Sequence, residues 1–532
     1  MTNTYHVIGP PGTGKTTYLA RQARRAVEKY GPDSVLIVSL TRAAAAEISG
    51  RDTGVPRHMA GTLHSICYHA LDRPTIAESK IKEWNTAQPR YALDESQGRS
   101  DLNDASATTA SDDYLQQLTL YRLLDVDRQA WRPTVQMFAK KWFAWLEETG
   151  YIDFTGLIEQ ALEMTHCAPG APQIILADEV QDFSRLEMKL LDRWGQQAEQ
   201  LIIVGDPDQS IYEFRGANPN LFIEADVDDD HRRVLSQSYR VPQAIHAVAS
   251  QLVQQISRRK DAAYEPTEES GEVTRIDASF KTPDPLLKPI RDAIAKNQSF
   301  MILAACTYML HPTVKMLREE GIPFWNPYRR QNGAWNPLTP SKGTSASSRV
   351  LSFLRPDEKT WGDDFKAPWP IPDLRTWTKH IRATDVLNRG ARDQIDAMDD
   401  EATYEWDWFE ALFKTPEHAA HAADLNLEWF AKSLIEGKAK SYQLPLQIIR
   451  QNNTAAILRQ DPHVVVGTIH SIKGGEADVV AVYPDLSMRG YEQWAGEGRH
   501  RDSIVRQFYV AVTRARQHLL LPCQETKLFF PI

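Results

Sequence analysis

A glycine-rich segment near the N-terminus has the residue types and spacing of a phosphate-binding loop. Residues 9–16 read Gly-Pro-Pro-Gly-Thr-Gly-Lys-Thr and fit the pattern G-x-x-x-x-G-K-[ST]. Glycines let the backbone wrap phosphate oxygens with its N–H groups, and the N-terminus of a following helix adds partial positive charge. Lys15 supplies a point charge for the β- and γ-phosphates, and Thr16 offers its hydroxyl to Mg²⁺. A chance glycine-rich turn is the alternative, but the strand and helix patterns around the loop favour a nucleotide site.

Two adjacent carboxylates follow a short apolar run further along the chain. Asp178 and Glu179 come directly after residues 174–177, which read Ile-Ile-Leu-Ala. Ligands bind at the carboxyl ends of parallel strands in open α/β sheets. Asp178 could hold Mg²⁺, and Glu179 could orient and deprotonate a water for in-line attack. An acidic cap of the next helix is the alternative. With a phosphate loop upstream we expect hydrolysis of ATP, because a small-molecule kinase must keep water away.

The segments around these residues alternate between strand and helix patterns. Short unbroken apolar runs predict buried strands at 5–8, 35–38, 174–176, 201–204, 464–466, 479–482 and 519–521. Apolar residues recur at helical spacing between residues 19 and 30. This alternation indicates an α/β fold with parallel sheets in two units, which no close internal repeat relates. Residues 71–164 and 329–445 lack the pattern and are interpreted as insertions.

The composition is that of a globular protein with a modest negative charge. The chain has 532 residues and a formal net charge of −9 at pH 7, so it lacks the overall positive charge that would attract nucleic acid. Any anion site must therefore be local, built from loops and helix ends. The four cysteines are far apart, which predicts neither a zinc site nor a disulfide framework and fits a reducing cytosol. No stretch approaches the ~20 apolar residues of a membrane span, so we expect a cytoplasmic protein without membrane association.

Further sequence blocks accompany these two sites in a fixed order. The longest are VGDPDQSIYEFRGA at 204–217 and GTIHSIKGGEAD at 467–478. The others are GPPGTGKT at 9–16, LTRAAAAEI at 40–48, GTLHSIC at 61–67, DEVQD at 178–182, QSYR at 237–240 and YVAVTRAR at 509–516. Together they resemble superfamily 1 DNA helicases of the UvrD/Rep/PcrA type. The KGGEAD form is similar to that of shorter, often phage-encoded members, so a bacterial or phage-infected cytosol is expected.

The resemblance implies an α/β fold of two RecA-like parallel-sheet domains with mainly helical insertions. ATP would lie in the cleft between the two domains. The implied division is 1–70 and 165–230 for the first domain, 71–164 for its insertion, 231–328 and 446–532 for the second domain, and 329–445 for its insertion.

The resemblance also assigns roles in hydrolysis. Gln209 matches the residue that senses the γ-phosphate, and Arg240 and Arg514 match arginines that reach it from the second domain. A preorganised guanidinium at the transferred phosphoryl group is worth ~10³–10⁵ in rate. If these arginines and Lys15 lie on different domains, hydrolysis requires closure, and closure and reopening move the domains. The predicted catalytic residues are Lys15, Glu179, Gln209, Arg240 and Arg514, and the predicted metal ligands are Thr16 and Asp178.

Nucleotide recognition is implied by the same matches. Tyr239 matches the aromatic residue that stacks on adenine, and Glu476 matches the contact to ribose. Thr17 stands where larger relatives often have an arginine, so one of the two side chains expected to stack on adenine is missing. The family's glutamine-containing segment before the first strand is expected to be lacking, so strict preference for ATP is not implied. The predicted nucleotide-binding residues are Gly9, Pro10, Pro11, Gly12, Thr13, Gly14, Lys15, Thr16, Thr17, Tyr239 and Glu476.

The resemblance further implies a groove for single-stranded DNA. Aromatic faces stack on bases without sequence preference, while hydroxyls, arginines and backbone amides hold phosphates. Leu40 replaces a base-stacking Phe and Phe214 replaces a commoner Trp, so weaker binding of single-stranded DNA is expected. The alternatives are core packing for Phe214, structural roles for the two histidines, and a salt bridge from Arg215 to the acidic cluster at 226–230. The predicted DNA-binding residues are Leu40, Thr41, Thr62, His64, Tyr212, Phe214, Arg215, Thr468 and His470.

Three hypotheses of function follow. The leading one is a helicase driven by ATP and Mg²⁺ that moves 3′ to 5′ on single-stranded DNA and acts at single/double-strand junctions, with replication or recombination proteins as possible partners. The second is a translocase that strips proteins or remodels DNA and unwinds only in a complex. The third is a nucleotide-gated DNA-binding module without useful turnover, which the intact Lys15, Glu179 and Arg514 argue against.

Overall fold

The computed structural model contains two parallel β-sheets, each flanked by helices. It describes residues 3–40, 42–95, 109–225, 227–329, 335–339, 344–354 and 369–532, without the side chains of residues 42 and 43. The predicted α/β class with two parallel sheets is confirmed. We call the first sheet with its flanking helices the first lobe, and the second sheet with its helices the second lobe.

The first sheet consists of six parallel strands. They are β1 Thr4–Ile8, β2 Val35–Ser39, β3 Ala60–Thr62, β4 Ile174–Ala177, β5 Gln200–Gly205 and β6 Arg232–Val234, in the spatial order β3-β2-β4-β5-β1-β6. The four central strands are the predicted apolar runs. The edge strands β3 and β6 were not predicted, because each has three residues and no apolar run. Since β6 pairs with β1, the first sheet extends beyond the predicted domain boundary at residue 230.

The second sheet also has six parallel strands. They are β7 Glu272–Ile276, β8 Phe300–Ala304, β9 Phe324–Trp325, β10 Val464–Thr468, β11 Ala477–Val482 and β12 Ala515–Pro522, in the spatial order β7-β12-β11-β8-β10-β9. The predicted runs at 464–466, 479–482 and 519–521 lie in β10, β11 and β12. The buried apolar strand β8 was missed, and it pairs with both β10 and β11 at the centre of the sheet.

Helices cover both faces of each sheet and build the two insertions. In the first lobe and its insertion they are α1 Lys15–Tyr30, α2 Arg42–Ser49, α3 Leu63–Ala70, α4 Ile81–Ala87, α5 Ala110–Leu123, α6 Pro133–Thr149, α7 Phe154–Met164, α8 Arg185–Gly195 and α9 Asn220–Ile223. In the second lobe and its insertion they are α10 Gln243–Val253, α11 Leu287–Ala295, α12 His311–Glu319, α13 Ala346–Leu354, α14 Ile371–Thr378, α15 Ala391–Asp396, α16 Trp406–Glu410, α17 Pro416–Ala423, α18 Leu427–Lys432, α19 Glu436–Asn452, α20 Met488–Ala495 and α21 Arg499–Val512. None of the helices in the described ranges is long and apolar enough to cross a membrane.

The insertion at 71–164 has an aromatic core of its own. Phe138, Trp142 and Trp145 of α6 are buried against Trp84 of α4, with ring centroids 4.9–5.8 Å from Trp84. Arg122 at the end of α5 forms a buried ion pair with Asp153, which caps α7, the last helix of the predicted insertion. Since Leu157 and Ile158 of α7 pack into the core of the first sheet, this ion pair connects the rest of the insertion to the first lobe.

The insertion at 329–445 shares its core with the second sheet. Trp369, Trp377 and Phe430 are buried in one continuous apolar cluster with Phe300 of β8 and Val464 of β10. The opposite face of the sheet packs against α10 and α21 in a separate cluster. The insertion therefore packs as one body with the strands of the second sheet.

Candidate nucleotide site and nucleic-acid groove

The phosphate-binding loop lies between β1 and α1, as predicted. Gly12 and Gly14 have φ angles of +76° and +79°, in the left-handed region that costs other residues ~1–2 kcal/mol. The Lys15 ammonium donates a hydrogen bond to the Gly9 carbonyl at 2.7 Å, and the Thr13 hydroxyl donates to the Pro10 carbonyl at 2.8 Å. The loop is therefore closed by its own side chains, with the Lys15 charge held against its backbone.

The segment 238–240 packs directly on this loop. The backbone N–H of Tyr239 donates to the Gly12 carbonyl at 2.8 Å, and the Ser238 hydroxyl donates to the Pro11 carbonyl at 3.1 Å. A Cβ on Gly12 would lie 2.5 Å from the Cβ of Arg240. The Tyr239 ring is 77% exposed, as a platform for a stacked base requires. The predicted loop and the predicted base-stacking residue are thus brought together.

The two predicted acidic residues lie at the carboxyl end of β4. Asp178 is buried, and its carboxylate accepts a hydrogen bond from the Glu179 N–H at 3.0 Å. Glu179 has a φ of +55°, a strained conformation for a residue with a Cβ. The Gln181 amide donates to the Glu179 carboxylate at 2.6 Å and fixes its orientation.

The electrostatic environment shifts the pKa values of these two carboxyl groups in opposite directions. Burial, together with the neighbouring Glu179 charge, raises the pKa of Asp178 to about 7. Burial also opposes ionisation of Glu179, but the positive charges of Lys473, Lys15 and Arg514 hold its pKa below the ordinary value. Glu179 is therefore ionised and able to accept a proton, while Asp178 is a buried carboxyl group that a cation would stabilise.

The predicted arginine Arg514 reaches the first lobe from the start of β12. Its guanidinium donates to the side-chain carbonyl of Gln209 at 2.9 Å and to the Gly475 carbonyl at 3.2 Å. Burial and the nearby Arg240 charge lower the pKa of Arg514 to about 10. Gln209 in turn donates to Asp206 at 2.6 Å, at the carboxyl end of β5. The predicted γ-phosphate sensor and one predicted arginine are in direct contact across the two lobes.

The other predicted arginine is paired with the predicted ribose contact. Arg240 Nε lies 2.5 Å from a carboxylate oxygen of Glu476, and Arg516 approaches the other oxygen at 3.3 Å. Glu476 follows Gly475, whose carbonyl holds Arg514. The two predicted arginines and Glu476 therefore form one cluster on the second lobe's side of the cleft.

Lys473 was not among the predicted site residues, although it lies in the block at 467–478. Its buried ammonium forms an ion pair with Asp182, donates to the Gln209 carbonyl at 2.8 Å and lies 3.5 Å from the Glu179 carboxylate. Burial opposes its charge, yet Asp182 and Glu179 raise the pKa of Lys473 above its ordinary value. A lysine of the second lobe thus fixes the acidic segment of the first.

Two further residues at the cleft carry no distinctive sequence signal. Arg51, just beyond α2, donates a hydrogen bond to the Thr17 hydroxyl at 2.9 Å. Its guanidinium therefore lies beside residue 17, the position at which larger relatives often have an arginine. The Tyr328 hydroxyl lies over Gly475, where an added Cβ would come within 2.5 Å of it. Both side chains come from elements outside the matched motifs.

A second cluster brings together predicted DNA-binding residues of both lobes. Phe214 is 52% exposed, so the alternative of core packing is wrong for this ring. His470 packs edge-on against Phe214 with centroids 5.4 Å apart, and the Tyr212 hydroxyl donates to the His470 carbonyl at 3.0 Å. The guanidinium of Arg215 lies 5.4 Å from the Tyr212 ring centroid. One exposed ring is thus supported from beneath by residues of the first and second lobes.

The two histidines have structural partners. The His470 imidazole is within hydrogen-bonding distance of the Ile211 carbonyl at 3.2 Å, and burial lowers its pKa to about 4. Burial also lowers the pKa of His64, whose Nδ1 lies 3.8 Å from Glu187. These partners favour the structural interpretation of both residues. Phe154, which was not predicted, presents a half-exposed ring 6.2 Å from His64.

Thr62 and Thr468 occupy equivalent positions in the two lobes. Each ends a strand in a Gly-Thr-x-His-Ser segment, and each hydroxyl accepts from the backbone N–H three residues later, at 3.2 Å in the first lobe and 3.3 Å in the second. This repeat was not predicted, because it covers only five residues. Leu40 is partly buried between the two lobes' cores. The predicted Thr41 lies outside the described residues.

The predicted metal ligands are Thr16 and Asp178. In the part of the chain that the structure describes, no three His, Cys, Asp or Glu side chains form a metal cluster. One hydroxyl and one buried carboxylate nevertheless fit Mg²⁺, which keeps several waters and binds phosphate oxygens together with one or two carboxylates.

Known proteins resemble this chain in sequence. Residues 1–230 match the UvrD/REP helicase N-terminal domain family. The putative ATP-dependent DNA helicase YjcD of Bacillus subtilis is 26% identical over 284 residues, which cover 48% of this chain and 37% of that protein. The ATP-dependent DNA helicase PcrA of Leuconostoc citreum is 26% identical over 287 residues, covering 48% and 37%. A probable DNA helicase of Mycoplasma pneumoniae is 24% identical over 298 residues, covering 48% and 54%.

The fold and the site define a two-lobed protein with a phosphate-binding loop in the cleft. The match of residues 1–230 to the UvrD/REP helicase N-terminal domain family confirms the resemblance of the chain to superfamily 1 helicases of the UvrD/Rep/PcrA type. The matched segments span 37% to 54% of the length of the relatives named above.

Proposed function

We propose that the chain is an ATP-dependent DNA helicase that hydrolyses ATP between its two lobes and moves 3′ to 5′ on single-stranded DNA. The observation that carries this proposal is the hydrogen bond from Arg514 to Gln209, which joins the lobes beside Glu179. A catalytic site completed by both lobes makes hydrolysis depend on how the lobes are arranged. Motion between the lobes is then the means by which hydrolysis drives stepping along DNA.

The residues of the cleft have different roles in the hydrolysis of ATP. Lys15 and Arg514 stabilise charge on the transferred phosphoryl group, and Gln209 places Arg514 next to it. Glu179 orients a water and accepts its proton, which its ionised state allows. Thr16 and Asp178 would hold Mg²⁺, which would supply positive charge to offset the charge that develops on the phosphates. Tyr239 stacks on the base, and Glu476 contacts the ribose once Arg240 turns to the γ-phosphate.

The exposed ring of Phe214 gives an acidic protein a means to bind a polyanion. Bases stack on such a ring without sequence preference, and neighbouring hydroxyls and backbone amides hold the phosphates. The Gly-Thr-x-His-Ser segments of the two lobes, which carry Thr62 and Thr468, provide matching phosphate contacts. A strand bound to both segments would be moved when the lobes open and close.

Truncation of Phe214 tests this groove. Phe214→Ala is expected to raise the Kd for an oligo-dT strand by about 5- to 150-fold, because one stacked base contributes ~1–3 kcal/mol. Fluorescence anisotropy of a labelled strand measures the change. Met137→Ala, which shortens another exposed apolar side chain on α6, serves as the control and should leave the Kd unchanged. Equal affinity of the Phe214 variant and the unmodified protein would remove this ring from the groove.

Unwinding of tailed duplexes tests the polarity. We expect ATP-dependent strand displacement on a duplex with a 3′ single-stranded tail and little displacement on one with a 5′ tail. The reverse result would contradict the proposed direction. Translocation on single strands without displacement on either substrate would favour the alternative of a remodelling translocase that unwinds only with a partner. ATP hydrolysis that single-stranded DNA does not stimulate would contradict a DNA motor altogether.

A further inference from the structure

A buried ion-pair cluster joins the segment that carries Phe214 to the helix that precedes Arg514. Glu213 is the neighbour of Phe214, but its own side chain is only 7% exposed. One carboxylate oxygen lies 2.9 Å from Arg506 Nη1, and the other lies 3.2 Å from Arg499 Nε. Both arginines belong to α21 of the second lobe.

The same two segments also touch at the nucleotide end. The segment 207–215 begins with the turn that carries Gln209, and α21 is followed directly by Thr513 and Arg514. The Arg514–Gln209 hydrogen bond therefore joins their nucleotide ends, while Glu213 joins their DNA ends. Arg506 and Arg514 are eight residues apart, which corresponds to ~12 Å along a helix. The two segments are thus connected at two points, one in each candidate site.

The helix side of this connection is rigid. Arg506 is 2% exposed and also donates to the Arg258 carbonyl at 3.2 Å. Asp502, one turn earlier, accepts from the Ser257 N–H at 2.9 Å and from the Ser257 hydroxyl. These contacts hold α21 to residues 257–258 of its own lobe, so the two segments move together. A displacement of the Glu213 carboxylate must therefore either carry both segments with it or break a buried ion pair, which is costly when one partner is left without compensation.

We propose that Glu213 is a positioning residue that couples occupancy of the DNA groove to the placement of Arg514. A base stacked on Phe214 sets the position of the adjoining Glu213, whose carboxylate moves α21 through Arg506 and Arg499, and α21 carries Arg514 towards the γ-phosphate. Glu213 touches neither DNA nor nucleotide. This inference rests on the proposed DNA-dependent hydrolysis of ATP, and it identifies the connection through which DNA stimulates that hydrolysis.

The substitution Glu213→Gln tests the coupling, because it keeps the shape of the side chain and removes its charge. We expect stimulation of ATP hydrolysis by saturating oligo-dT to fall by about 2- to 30-fold, the range that single coupling residues produce. The rate of ATP hydrolysis without DNA and the Kd for oligo-dT should each stay within about twofold of the values for the unmodified protein. A structural role would instead lower the DNA-free rate and the thermal midpoint together with stimulation, and that result would overturn the proposal.

Arg499→Gln provides an independent variant, since this side chain is 49% exposed and its loss should not affect folding. If both residues act through one ion pair, the double variant should lose no more stimulation than Glu213→Gln alone. Additive losses, or full stimulation in both single variants, would overturn the coupling role. Glu492→Gln, at an exposed position of α20, is the control and should behave as the unmodified protein. If the unmodified protein itself shows no stimulation by DNA, the proposed function fails and this inference with it.

Discussion

Replacement of Arg514 by alanine is expected to lower the DNA-stimulated rate of ATP hydrolysis by about 10³-fold or more, the effect typical of an arginine that stabilises charge on a transferred phosphoryl group. The guanidinium is buried, and its hydrogen bonds to Gln209 and Gly475 fix its orientation relative to the acidic turn of the first lobe. Arg514→Lys should restore little of the rate, because an ammonium lacks the planar fork that these two carbonyl oxygens hold. Steady-state rates with saturating ATP and oligo-dT measure both variants.

The control for this prediction is Arg489→Ala, which removes an exposed arginine of the second lobe and should leave the rate unchanged. Nucleotide affinity should change little in Arg514→Ala, since Lys15 and the loop backbone remain. A rate within tenfold of the unmodified protein, with an unchanged thermal midpoint, would mean that Arg514 only connects the lobes and does not act on phosphate.

Glu179→Gln is expected to reduce turnover by about 10²- to 10⁴-fold while leaving nucleotide binding intact, because the amide cannot accept the proton of the attacking water. The change removes a charge beside Asp178, which should ease ionisation of that buried carboxyl group and favour the metal-bound nucleotide. Equilibrium titration with ATP, followed by single-turnover hydrolysis in the same samples, separates binding from chemistry.

Two variants define the limits of this second prediction. Lys15→Ala should lose both binding and turnover, because it removes the charge held against the loop. Glu199→Gln should lose neither, because the Glu199 carboxylate only accepts a hydrogen bond from Tyr30, the last residue of α1. If Glu179→Gln fails to bind ATP, the strained φ of +55° identifies Glu179 as a residue that shapes the acidic turn rather than as the base.

Features determined within a few residues were predictable from the sequence. The phosphate loop requires glycine at particular backbone angles, and its eight-residue pattern records that requirement. The central strands of both sheets are apolar runs because helices cover both faces. The edge strand β6, which reads Arg-Arg-Val, lacks this signal because its residues are partly or fully exposed. The edge strand β9 lacks it because it has only two residues.

Contacts between distant segments were not predictable in the same way. The ion pair of Lys473 with Asp182 joins residues 291 positions apart, and that of Arg506 with Glu213 joins residues 293 positions apart. Nothing in the local pattern around either residue identifies its partner. Core packing of Phe214 was also compatible with the sequence, since phenylalanine is often buried.

The sequence by itself determined the chemistry that this protein carries: a loop for phosphate, an acidic pair after a strand, and ordered blocks of a known helicase type. Only the tertiary structure decided that Arg514 meets Gln209, that Lys473 fixes the acidic segment, and that Glu213 faces α21 instead of the groove. The physical reason is that residue type and local spacing fix what a group can do, whereas its partner is fixed by how two sheets and their helices pack against each other.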